Sequence, residues 1–111
     1  MQNFLKEGKI ITLTAPYNVN SGGGMLVGSI FAVATTTVLS GATVEGLVEG
    51  VVTLAKTSAQ AWTVGALIYW DDTNKVATTV STSNKLIGVA TDAAANPSST
   101  GNVRLNGAFV S

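Results

Sequence analysis

The groups in this chain that could carry chemistry are few and easily located. The stretch "SGGGMLVG", residues 21 to 28, puts three glycines beside an apolar segment, as phosphate-cradling loops often do. Such a loop needs Gly-x-x-x-x-Gly-Lys followed by Ser or Thr, leading into a helix whose amides hold the phosphate. Here Met25, Leu26 and Val27 follow the glycines, and no lysine appears for over thirty residues. The Lys56-Thr57 pair follows "VVTLA", which has no glycine loop. A dinucleotide fingerprint would also need a βαβ unit, which the pattern does not offer. The glycines therefore read as shape, permitting positive φ or close backbone approach.

Asp71 and Asp72 are adjacent, so on a strand they point to opposite faces and make a poor acid/base pair. Turn support is their simpler role, and they lack the alternating acids of a calcium loop. Glu45 and Glu49 share one strand or helix face, most simply a solvated edge. Trp62, Tyr69 and Trp70 would make a sugar platform if exposed together. Two tryptophans in a chain this short more often anchor a core or an interface. Tyr69 and Trp70 alternate across their strand, so at most one faces the core. The other is a candidate for a subunit contact, as is Trp62. Arg104, the one arginine, is a further interface candidate through an ion pair within or between subunits.

Composition removes other chemistries. The 111 residues suit one domain. With 46% hydrophobic residues the chain is not of disordered type. There is no cysteine for a disulfide, thiolate site or thiol nucleophile, and no histidine as general base or metal ligand. Catalytic residues, cofactors and metals are accordingly expected to be none. Charged residues are only 11%, with six basic balancing six acidic. The lysines are scattered singly, so nucleic acid is not an expected partner. No apolar run approaches the roughly 18 residues of a membrane span, and "MQNFLKEGK" lacks an export-signal core. A neutral chain with so few charges repels its own kind weakly, which suits a subunit packed against neighbours.

The elements that position these groups are mostly strands. Ala, Thr, Val and Gly supply about half the chain, and Val and Thr favour strands. Residues 1–8 read as an arm before a single β domain, 9–111. The arm is either a frayed terminus with Phe4 and Leu5 tucked onto the domain or a segment that orders on a partner. "KIITLTA" (9–15) is a strand stopped by Pro16. Residues 25–37 are one long strand, or two hinged near Gly28. Residues 43–55 fit helical spacing, but Gly46 and Gly50 would each cost about 1 kcal/mol in a helix. They are therefore expected as one strand with Val44, Gly46, Val48, Gly50, Val52 and Leu54 on one face. Thr57 or Ser58 is expected to cap a helical turn over Ala59 to Trp62. A hairpin through Asp72, Thr73 and Asn74, a strand over 85–91 and a closing strand over 102–109 follow. The sum is a mainly β chain, a small barrel or sandwich with one short helical turn and an extended N-terminal arm.

Four segments together, "ITLTAPYNVNSGGGMLVGSIFAVA", "LAKTSAQAWTVGALIYWDD", "KLIGVATDAA" and "VRLNG", resemble the capsid cement (decoration) proteins of tailed bacteriophages. The resemblance spans about Phe4 to Phe109 and lies in order and spacing rather than in catalytic motifs. It implies a structural virion protein, made in the host cytoplasm, on the outer surface of the expanded head. Such proteins bind as homotrimers between major capsid hexamers and clamp neighbouring capsid subunits against internal pressure. Their N-terminal arm orders against the capsid, a role that would fall here to Met1–Glu7, with Asn3, Phe4 and Leu5 as contacts. Some members carry a RecA/RadA-type recombinase label, which the missing phosphate loop contradicts. The rival reading is a carbohydrate- or host-surface-binding β module on the virion.

Overall fold

The computed structural model describes residues 10–106. Within them lie nine strands and no helix. Strands β1 (Ile10–Thr14), β2 (Gly24–Val27), β3 (Ile30–Ala34) and β4 (Thr43–Leu47) make an antiparallel sheet ordered β1-β4-β3-β2. Strands β5 (Glu49–Ala55), β6 (Leu67–Asp71), β7 (Val76–Thr78), β8 (Lys85–Ala90) and β9 (Thr100–Asn106) make a second sheet ordered β5-β9-β8-β6-β7. That larger sheet curls until its ends approach. Lys56, just past β5, forms a parallel bridge with Ala77 of β7, and the Thr57 N–H donates to the Ala77 carbonyl at 3.0 Å. The mainly β expectation holds.

Burial follows from the residue pattern. Strand β3, "IFAVA", is apolar throughout because both its faces are covered. Phe31 and Val33 join Leu54, Trp62, Ile68, Trp70, Ala77, Ile87, Ala90, Val103 and Leu105 in the larger core. Ala32 and Ala34 face a smaller core with Ala15, Val19, Met25, Val44 and Val48. The Trp62 and Trp70 side chains are each 2% exposed. Burying an aromatic ring of 150–250 Å² is worth about 4–6 kcal/mol at roughly 25 cal/mol per Å².

The 25–37 segment takes the two-strand form. Val27 pairs with Ile30, and Gly28 turns the chain at φ 60°, a backbone region that glycine enters without a Cβ penalty. Two expectations are corrected. The single strand over 43–55 is two strands in different sheets, divided at Val48. Val44, Gly46 and Val48 do point inward together, but Gly50 is exposed at φ 105°. The chain changes sheets at Val48, and β5 pairs with β9 over seven residues, from Glu49 opposite Asn106 to Ala55 opposite Thr100. The helical turn over Ala59 to Trp62 is absent. Trp62 is instead extended, its N–H and C=O both paired with Ala94 at 2.9 and 3.1 Å. That geometry delivers its ring to the core, which a capped turn would not.

Candidate functional site

The glycine stretch is built for contact between the sheets. Gly22 has φ 84° with nothing near the position a Cβ would take. Gly24 is different. A Cβ there would lie 2.7 Å from both Phe31 Cζ and Trp70 Cη2. Those rings pack with centroids 5.0 Å apart at 53°. The absent side chain lets β2 approach the ring of a tryptophan carried by the other sheet.

Beside it lies a polar cluster that the sequence reading did not single out. Pro16 ends β1, and Tyr17 crosses to the β6–β7 turn. The Tyr17 hydroxyl donates to Asp72 Oδ1 at 2.8 Å and accepts the Leu26 N–H at 3.1 Å. Trp70 Nε1 donates to the same Asp72 oxygen at 3.1 Å. Lys75 pairs with that carboxylate at 3.7 Å, donates to the Asp72 carbonyl, and sits 4.2 Å from the Tyr17 ring centroid. Burial, reinforced by the Asp72 hydrogen bond, pushes the Tyr17 phenol up to about 12. A lone tyrosine after a proline carries no sequence signal for such a role. Its acceptor Asp72 lies 55 positions away in the chain.

The paired carboxylates diverge as their spacing implies. Asp71 accepts the Thr73 and Asn74 N–H groups at 3.0 and 3.1 Å and the Asn74 side-chain amide at 2.9 Å. Those bonds, from Asn74 above all, hold its carboxyl below the ordinary value. Asp72 serves the inter-sheet cluster. An open cleft of about 520 Å³ lies alongside, lined mainly by hydroxyl and amide side chains including Thr57, Gln60, Thr78 and Asn84. Gln60 is already engaged, accepting from Trp62 Nε1 and the Thr79 N–H and donating to Thr78. Among the described residues no group of three His, Cys, Asp or Glu is placed to hold a metal ion. No helix there is long and apolar enough to cross a membrane.

The candidate interface residues separate by burial. Trp62 and Trp70 belong to the chain's own core, the Trp62 ring lying against Gly101, where any Cβ would collide with it. Lys56, itself 4% exposed, sits 5.8 Å from that ring centroid and donates to the Thr57 and Ser98 carbonyls at 2.9 and 3.4 Å. Tyr69 is half-buried and Arg104 exposed. Both face outward from the larger sheet, since their neighbours Ile68, Trp70, Val103 and Leu105 point into the core. The three aromatic rings therefore form no exposed platform. The arm residues Asn3, Phe4 and Leu5 lie outside the described residues.

Two packed β-sheets whose polar groups mainly bind one another define a β-rich structural module. The chain belongs to the phage cement protein family, whose model matches residues 5–105. That family implies a structural, capsid-binding role on the phage virion and points away from an enzyme. No match was found among curated proteins or among solved structures.

Proposed function

We propose that this protein binds the outer surface of the expanded phage head and cements neighbouring major capsid subunits against internal pressure. It does so as a homotrimer, with residues 1–8 as an arm that orders on the capsid through Asn3, Phe4 and Leu5. The observation that carries the reading is the cement-family match over residues 5–105. The zero formal net charge and 11% charged residues agree with it, because close packing of many copies meets little self-repulsion. The mechanism is additive. Each copy contributes a modest contact, and a trimer gains avidity because its second and third contacts are intramolecular. The burial of Trp62 and Trp70 removes the platform that a carbohydrate-binding module would need.

The test is to add purified protein to expanded heads that lack it. Saturable binding with raised resistance to heat is expected, and no binding, or binding without protection, would refute cementing. Deleting residues 1 to 7 should weaken head binding at least tenfold. Unchanged affinity would remove the arm from the contact.

A further inference from the structure

The cross-strand register of the larger sheet brings four distant residues into one row. Val51 of β5 pairs with Arg104 of β9, which pairs with Val89 of β8, which pairs with Leu67 of β6. Residues directly opposite in a sheet share a face, and the alternate residues Val52, Leu54, Val103, Leu105 and Ile68 fill or border the core. The row therefore faces out. Val51 is 59% exposed and Leu67 52% exposed. Tyr69 and Leu86, paired with each other, extend the strip beside Leu67. Arg104 stands between two valines, with no ion pair to any described residue. A cation ringed by aliphatic groups is held best by a carboxylate that arrives with apolar cover, since covering it unpaired is costly.

Among the described residues one unbonded carboxylate stands on another surface, that of Glu45; Glu49 also bonds to none of them but stands on β5, in the row's own sheet. Asp71 is bound by its own turn, Asp72 by Tyr17, Trp70 and Lys75, and Asp92 by Thr91 and Asn102. Glu45 is exposed on β4 of the smaller sheet, and its carboxylate bonds to none of the described residues. It lies opposite Thr12, whose neighbours on that face of β1 are Ile10 and Thr14. The Arg104 row spans about 14 Å across four strands, and Ile10 to Thr14 spans about 13 Å along one. The charges and lengths are complementary. A two-fold axis through the row would instead bring Arg104 against Arg104.

We propose that the Arg104 row of one copy packs on the Glu45 face of β1 and β4 of a second copy. The contact joins two different surfaces, so it is head-to-tail and closes into a ring when the rotation allows. It rests on the homotrimer reading above and gives that trimer its subunit contact.

The experiment is sedimentation of the full chain, with head binding measured separately. Wild type should sediment as an oligomer. Arg104→Glu and Glu45→Arg should each weaken association at least tenfold, and the double variant Arg104→Glu/Glu45→Arg should restore it. Both side chains are exposed, so circular dichroism and Tm should be unchanged. Should Arg104→Glu misfold, Leu67→Asp at the end of the row must dissociate the oligomer in its place. A monomeric wild type, unaltered association in the single variants, or a double variant no better than either single would overturn the contact. Intact oligomers that fail to bind heads would refute cementing while leaving this contact standing. Monomers whose head binding needs Arg104 would assign the row to the capsid and end the proposal.

Discussion

Gly24→Ala tests the contact between the sheets. Gly24 lies outside the left-handed backbone region, so alanine brings no backbone strain there, only a methyl group. That methyl would lie 2.7 Å from Phe31 Cζ, 2.9 Å from Phe31 Cε1 and 2.7 Å from Trp70 Cη2. Contact at van der Waals distance requires about 3.5–4.0 Å, so the rings must yield by about 1 Å. Neither is a flexible tip: Phe31 is 3% and Trp70 2% exposed, and each packs on the other. Overpacking of this kind costs about 1–3 kcal/mol, or a Tm lower by roughly 4–12 °C for a domain near this size. The assay is urea and thermal denaturation of Gly24→Ala, Phe31→Leu and the double variant. Leucine removes the ring atoms responsible for two of the three close contacts. The double variant should therefore be more stable than the sum of the singles by about 1 kcal/mol, within the range for touching residues. Near-ultraviolet circular dichroism should shift in Gly24→Ala as Trp70 moves. Strict additivity, or an unchanged Tm in Gly24→Ala, would refute the idea that this glycine exists to admit the rings.

Tyr17→Phe should lower stability by about 1–2 kcal/mol, because it leaves the Leu26 N–H and Asp72 without the hydroxyl between them. The folded phenol titrates at about 12 against an ordinary value of 10.0. Its contribution is thus full below pH 10 and lost as pH rises toward 12. Denaturation followed across that window should show a loss in wild type that Tyr17→Phe lacks. Lys56→Ala should cost about 2–3 kcal/mol by urea denaturation, since it strips a charged donor from the Thr57 and Ser98 carbonyls and uncovers Trp62. Asp71 is held below its ordinary 3.8, so its stabilisation is present above that value and fades as pH falls through the folded one. Asp71→Ala should therefore show a shallower loss of Tm between pH 5 and pH 2.5 than wild type.

Much of the strand content was legible because local rules decide it. Pro16 ends β1, Gly28 turns β2 into β3, and Asp71 and Asn74 build the β6–β7 turn from neighbours in sequence. In the two misread segments tertiary contacts override the local pattern. Residues 43–55 read as one strand, and a strand pattern does not say which sheet it joins; the crossing at Val48 belongs to the fold. Residues 57–62 carry a good capping residue, yet Trp62 gains more from its ladder with Ala94 and its place in the core than from a helical turn. Of the interface candidates, the sequence placed Tyr69 and Trp70 on opposite faces but left open which one points in. Burial of Trp70 against Phe31 answers that.

By itself the sequence determined the β class and the lack of a phosphate loop, because composition and motif spacing are properties of neighbouring residues. The order and spacing of its segments also carried the family. Only the tertiary structure decided that Val51, Arg104, Val89 and Leu67 stand in one row, or that Tyr17 meets Asp72. Those neighbours come from register between strands far apart in the chain. Register is set by how whole sheets bury their apolar faces, so no local stretch contains it.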